Sequence, residues 1–506
     1  MHRGGIILLI LAALGVGGAA VLFEHSGGSA ADATAPVVAG GDEAGGEPEL
    51  EGEEGRAENE LLEEQEETEQ RLEAMEEAVA AGRFGRAAAP TSNPAPGWRG
   101  SQLLNPATDD WEPAVAADAR EPFVYLLTTR FTAPPGCSRQ CPLPHMALTV
   151  SRDGGASWGA QRAICVCQGS KSQFDPTIEV VPNTGAVYSV FLNGDRAGGF
   201  SSVFVKSADH GKTWTDPVRV YGNVAWTDKP EIATSLSGKD VYVSWNGPQG
   251  GDLYVGQSHD FGATWRQQKL STGDRYYYAY DARVLADGTA VFAESSLVYA
   301  GSKEVTGKVW HHVIMSRDGG DTWQNVVVAK VATGEECVAE GCSPDYYTGQ
   351  ASVVSDASGH LVAAFEGASA TGRPQRVSIA RSRDGGRTWS APQALSVNGE
   401  NATGPRLASS GGGNVRIWYM QTTNDDPDTW NVWYRTSADG GASWSAPVRI
   451  SDAPAGAAGY VHAGGFDEIY GDYGEVAVTS AGKTVAVWGE GFSYTGPGGT
   501  WFNVQR

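Results

Sequence analysis

Short apolar runs of strand-like composition recur along the chain from Trp111 onward, and they come in pairs. Glu112-Pro-Ala-Val-Ala precedes Phe123-Val-Tyr-Leu-Leu, Asp175-Pro-Thr-Ile-Glu precedes Ala186-Val-Tyr-Ser-Val, and Lys229-Pro-Glu-Ile-Ala precedes Asp240-Val-Tyr-Val-Ser-Trp245. The pattern continues with Asp281-Ala-Arg-Val-Leu and Ala290-Val-Phe-Ala, Gln350-Ala-Ser-Val-Val and His360-Leu-Val-Ala-Ala-Phe365, and Gly404-Pro-Arg-Leu-Ala and Asn414-Val-Arg-Ile-Trp418. β-Branched and aromatic residues bounded by Gly, Asp, Asn and Ser predict short strands joined by tight turns. Each pair leads into one octapeptide: Ser151-Arg-Asp-Gly-Gly-Ala-Ser-Trp158, Ser207-Ala-Asp-His-Gly-Lys-Thr-Trp214, Ser258-His-Asp-Phe-Gly-Ala-Thr-Trp265, Ser316-Arg-Asp-Gly-Gly-Asp-Thr-Trp323, Ser382-Arg-Asp-Gly-Gly-Arg-Thr-Trp389 and Ser437-Ala-Asp-Gly-Gly-Ala-Ser-Trp444. The copies are 56, 51, 58, 66 and 55 residues apart. Such a period marks one repeat fold rather than several unrelated domains.

Ser, Asp, the second Gly and Trp recur in all six copies. The octapeptide resembles the Asp box of the sialidase superfamily (BNR repeats), which implies a β-propeller with the box at the turn between the two outer strands of a blade. An Asp at a turn start accepts N–H bonds from the next few residues, Gly supplies positive φ, and Trp buries a large ring between sheets. Six equivalent catalytic or metal-binding aspartates on one chain would be incongruous, so the boxes identify a scaffold and not a reaction.

A seventh module, Gly471-Asp-Tyr-Gly-Glu-Val-Ala-Val478 followed by Thr484-Val-Ala-Val-Trp488, ends at Phe502-Asn-Val without a box. Its missing outer strand is expected from Trp98-Arg-Gly-Ser-Gln-Leu-Leu104, which looks like the segment after each box; otherwise a sheet edge stays exposed. The fold class expected is all-β, a seven-bladed propeller over residues 98–506 at about 58 residues per blade. The resemblance alone implies six blades, and the repeat count overrules it.

Composition changes sharply ahead of the propeller. Residues 1–25 hold an uninterrupted apolar run, Ile6 to Phe23, expected to be either a cleaved signal peptide or an uncleaved membrane anchor. Between Glu24 and Gly97 stand 19 acidic and 4 basic residues, so −15 of the chain's net −23 lies in this tether. Residues 26–57 read as an acidic, Gly-rich disordered linker. Residues 58–82 read as an acidic helix, a solvated spacer or a weak coiled coil through Leu61, Gln65, Thr68, Leu72, Met75 and Val79. An exported protein is expected, secreted, periplasmic or anchored by its N-terminal segment. Six cysteines in such a chain suggest three disulfides. Cys337 and Cys342 are the simplest pair; Cys137, Cys141, Cys165 and Cys167 allow three pairings, with a metal cluster as the competing reading.

The loops between modules should emerge on the face opposite the boxes, around the axis. They gather Trp111, Asp175, Trp226, Asp228, Tyr280, Tyr347, Tyr470 and Asp472, with Tyr276 to Tyr278 among them. Aromatic rings with carboxylates suit sugar or peptide recognition, while packing is the ordinary fate of any single ring. The resemblance implies, for catalytic members, three arginines around the substrate carboxylate, a Tyr nucleophile backed by Glu, and an Asp acid/base. The match is poor. Trp111-Glu-Pro-Ala stands where Arg-Ile-Pro is expected, and Ala293-Glu-Ser-Ser where the second arginine would fall. Gln350-Ala-Ser-Val resembles a later segment, and Tyr473 with Glu490 could mimic the Tyr and its Glu. Arg283 and Arg406 lie on expected inner strands, two arginines instead of three. Tyr473, Glu490, Arg283, Arg406 and Asp281 are the candidate catalytic residues.

The loops carry more Asp and Glu than Lys and Arg, so the rim should repel an anionic sugar and nucleic acid. A neutral glycan, a cationic peptide or a Ca²⁺ ion suits it better, and no other cofactor is expected. His311 and His312, adjacent on a strand, point to opposite faces and read as surface or packing residues. The function expected is a glycan- or protein-binding scaffold at the cell envelope; an exo-acting glycoside hydrolase and an envelope assembly factor are the alternatives.

Overall fold

The computed structural model describes residues 94–105, 110–137, 141–167, 169–195, 200–220, 228–247, 251–271, 275–300, 304–334, 349–356, 359–423, 426–451, 457–458, 474–491 and 498–506. The expected signal or anchor segment, acidic linker and helix lie outside them. Every described element is a strand, and the strands form seven antiparallel blades.

Blade 1 comprises Asp110–Ala117, Val124–Arg130, His145–Ser151 and Arg162–Ala163 from axis to rim, and blades 2 and 3 repeat the order from Ser170–Val180 and Asp228–Thr234. Blade 4 comprises Tyr276–Val284, Ala290–Leu297, Lys308–Ser316 and Gln324–Ala332. Blades 5 and 6 start at Ala351–Ser355 and Ala402–Gly411, and blade 7 at Glu475–Val478. Blade 7 closes as expected: Gln102–Leu103 pairs with Trp501–Phe502 as its outer strand, and Trp98 bridges Gln505. Ala457–Ala458 additionally links the third strand of blade 6 to Gly491 of blade 7.

The core is seven separate clusters, each between two neighbouring blades. Trp418 and Trp430 of blade 6 pack with Trp488 and Trp501 of blade 7, and Val115 and Leu126 of blade 1 pack with Val485 and Val487 of blade 7. Five further clusters fill the remaining junctions, so the ring closes on apolar contact all round.

The boxes sit at the outer turns. In the first, Ser151 Oγ donates to Asp153 Oδ1 (2.8 Å), and Ser157 donates to the same carboxylate through both its N–H (2.8 Å) and its hydroxyl (2.5 Å). Each box tryptophan wedges toward the preceding blade: the Trp265 ring lies 5.5 Å from Phe204, and Trp158 lies 5.3 Å from Phe502. Of the cysteines, Cys137 bonds to Cys141 and Cys165 to Cys167; Cys337 and Cys342 lie outside the described residues.

Candidate functional site

The inner strands share one local sequence, and it builds the site. Glu112-Pro-Ala-Val, Asp175-Pro-Thr-Ile, Lys229-Pro-Glu-Ile, Asp281-Ala-Arg-Val, Gln350-Ala-Ser-Val and Gly404-Pro-Arg-Leu occupy equivalent places, and Gly474-Glu-Val matches their last three residues. Glu112, Asp175, Lys229 and Gly404 hold φ near +50° (50, 50, 45 and 61°), and each lies within a register shift between the two inner strands of its blade. A bulge frees backbone N–H groups that must find new acceptors. The preceding blade supplies them.

Glu112 accepts the Asp175 N–H at 2.8 Å, and Asp175 accepts the Lys229 N–H at 3.1 Å. Asp281 accepts the Ser352 hydroxyl (2.5 Å) and the Val353 N–H (3.0 Å), and Ser352 Oγ accepts the Leu407 N–H (2.9 Å). Glu366 accepts the Gly404 N–H (2.7 Å) and the Thr403 hydroxyl. Asp175 and Asp281, candidates by sequence for binding and catalysis, therefore fasten one blade to the next.

The third position of the repeat faces the axis. There Glu231, Arg283, Arg406 and Glu475 line a cavity enclosing about 540 Å³, its open mouth included, and Glu179 joins them from two residues further along its strand. Arg283 is paired with Asp281 at 2.6 Å. Arg406 is 2% exposed and donates, among the described residues, only a long hydrogen bond of 3.4 Å to the Pro405 carbonyl.

Burial dominates the electrostatics. It pushes the Glu179 carboxyl up to about 8 against the opposing pull of Arg283, and Glu475 up to about 7, reinforced by Asp281. Glu231 is raised well above the usual range by burial and by Asp281. Burial works against the Arg283 guanidinium, yet Asp281, Glu475, Glu179 and Glu231 outweigh it and raise its affinity for the proton. The wall thus combines carboxyls that hold protons near neutrality with two permanent cations.

Arg283 and Arg406 are brought together, as their strand positions implied. Glu490 accepts the Trp488 indole N–H at 2.7 Å. Tyr473, Trp226, Tyr347, Tyr470 and Asp472 lie outside the described residues. Trp111 is 1% exposed and belongs to a buried aromatic run, 6.1 Å from Phe131, which is 6.4 Å from Phe174; it packs rather than offering a platform. Asp228 accepts from Asn246 Nδ2 (3.1 Å), and burial, with Asp175 beside it, raises its carboxyl to about 7. Tyr280 is half-buried, its ring 6.2 Å from that of Tyr278. His311 and His312 are both buried: one bonds the Glu366 carbonyl (2.7 Å), the other Asn325 (2.8 Å). Glu179, Glu231 and Glu475 escaped the search for arginines and aromatic loops. Alignment of the X-Pro-x-aliphatic repeat would have found Glu231 and Glu475, which share the position of Arg283 and Arg406.

Fold and axial cavity together define a seven-bladed Asp-box propeller. The BNR repeat-like domain model matches residues 240–404 and 359–464 of the chain. No curated protein matches the chain. Solved structures with a similar course include a protein of unknown function from Dyadobacter fermentans, 16% identical over 81% of this chain and 99% of that one (TM-score 0.46). A Hadza microbial sialidase is 13% identical over 79% and 66% (TM-score 0.44), and an ulvan lyase of a new polysaccharide lyase family 12% over 82% and 95% (TM-score 0.47). Likenesses this distant transfer no activity.

Proposed function

We propose that this propeller is an exported binding module that takes a neutral glycan at its axial cavity. The supporting observation is the make-up of the wall: Glu179, Glu231 and Glu475 stand beside only two guanidinium groups among the described residues. A carboxylate ligand calls for converging forks of donors, and here one of the two arginines is already paired with Asp281 at 2.6 Å. Sugar hydroxyls both donate and accept, so they can bond to protonated carboxyls, carboxylates and arginines alike. The apolar run Ile6 to Phe23 and the two short-range disulfides favour an oxidising, extracytoplasmic setting, with the N-terminal segment a membrane anchor if retained. An envelope glycan, free or carried on a protein, is the partner.

An exo-acting glycoside hydrolase is the second reading, favoured by one observation. Glu179 and Glu475 hold protons near neutral pH, as a general acid must. Hydrolysis of a fluorogenic sialoside and of neutral aryl glycosides separates the two. The expected result is no turnover, together with binding of neutral sugars that Glu231→Gln weakens by roughly tenfold, the worth of one hydrogen bond. Turnover that both Arg406→Ala and the milder Glu475→Gln abolish would replace the binding module with an enzyme.

A further inference from the structure

The innermost strand of blade 4 carries three tyrosines at alternate positions, Tyr276, Tyr278 and Tyr280. Their rings form a continuous run: the first two centroids are 4.9 Å apart at 39°, the next two 6.2 Å apart at 37°. The run is pinned at both ends by bare backbone. A Cβ at Gly251 of blade 3 would fall 2.3 Å from the Tyr276 ring, and one at Gly349, leading into blade 5, would fall 3.1 Å from the Tyr280 hydroxyl. Asn246 of blade 3 also donates to the Tyr276 hydroxyl (3.3 Å). Tyr276 is 9% exposed; Tyr278 and Tyr280 are half-buried.

A bulge lies between this run and Arg283, the residue of the same strand that lines the axial cavity. Tyr276 and Tyr278 stand opposite Leu297 and Ser295, whereas Asp281 and Arg283 stand opposite Ala293 and Val291. Directly opposed residues share a face, and Leu297, Ser295, Ala293 and Val291 alternate along one face of their strand. The register shift between Ala279 and Asp281 therefore puts Tyr276 and Tyr278 on the same face as Asp281 and Arg283, with Tyr280, in the bulge itself, between them and 6.2 Å from Tyr278. In an unbulged strand Arg283 would point to the other side.

We propose that Tyr280 and Tyr278 are outer subsites of the axial cavity, so that the ligand is an extended neutral oligosaccharide whose end enters at Arg283 and whose remaining units stack on the tyrosine rings. Stacking covers the apolar face of a sugar ring and leaves its hydroxyls in water, which suits half-buried rings on the strand that also carries Arg283. This rests on the glycan-binding reading and specifies the length of its ligand.

The test is calorimetric titration of the whole protein with cello-, malto- and manno-oligosaccharides of one to four units. In at least one series affinity should rise about tenfold or more from one unit to three, the effect expected of one or two stacked rings. Tyr278→Ala and Tyr280→Ala should abolish that rise and leave single-unit binding intact, while Tyr278→Phe retains it. Length-independent binding, or variants that weaken one and three units equally, would overturn the subsites and leave the glycan reading standing. Absence of binding at every length in all three series would remove both.

Discussion

The second glycine of each box lies against the preceding blade with its backbone in the left-handed region. Gly262 holds φ at +77°, and a methyl group there would sit 2.2 Å from the Phe204 ring; at Gly386 it would meet Met315 Sδ at 2.5 Å. The first glycine of the box is different. Phe261 takes that place in the third box at φ 65°, half-exposed, with its carbonyl accepting from Lys206 Nζ. A left-handed L-residue costs about 1–2 kcal/mol, a cost that stands alone at Phe261 and is compounded by a clash at Gly262. Gly262→Ala should lower stability by about 3 kcal/mol or more, whereas Phe261→Gly should change it by about 1 kcal/mol at most, the relief of strain offset by a floppier unfolded chain. Urea midpoints of the two variants check this, and equal losses would contradict it.

At the level of elements, the ring depends on a strand borrowed from the front of the chain. Trp98 is 2% exposed, packs edge-on against Tyr434 at a centroid distance of 4.9 Å, and belongs to the cluster between blades 6 and 7. Trp98→Ala should cost about 3–5 kcal/mol, and deletion through Leu104 should also expose the edge of Gly498–Val504 and promote association. A thermal melt and light scattering read the two effects. This element was legible because the seventh module lacks a box and Trp98 to Leu104 resembles the strand after each of the six boxes. The blade count was legible for the same reason. The axial glutamates were legible only in part: aligning the inner-strand repeat puts Glu231 and Glu475 at the position of Arg283 and Arg406, whereas nothing along the chain marks Glu179 until the neighbouring strands are placed. The inter-blade role of Asp175 and Asp281 was equally hidden: it answers freed N–H groups on another blade, which a periodicity along one strand does not reveal.

Across the whole molecule, two sets of carboxyls titrate in opposite senses. The box aspartates accept several hydrogen bonds as anions, which holds Asp260, Asp318 and Asp439 down to about 2. A lowered acid stabilises the fold above its ordinary range and loses that contribution as pH falls through the folded value. Burial raises Glu366 and Asp228 to about 7, as it does Glu475, and Glu179 to about 8. These groups keep a proton that the unfolded chain has already released. Their contribution is complete below about pH 4 and is lost as pH climbs through 7 and 8. Buried His145, His311 and His312 oppose this trend, since burial lowers them to about 4, 3 and 4; their contribution grows as pH rises toward 6.5 and then stops growing. From pH 6.5 upward the carboxyls therefore act unopposed, and the melting temperature should fall, the fall slackening as pH passes 7 and then 8. Glu179→Gln should flatten the fall by removing one of the protons involved. A melting temperature that stays level or rises from pH 6.5 to 8.5 would mean that the axial carboxyls are ionised at neutrality, and that the cavity presents its ligand with a far more negative wall than protonated acids would make.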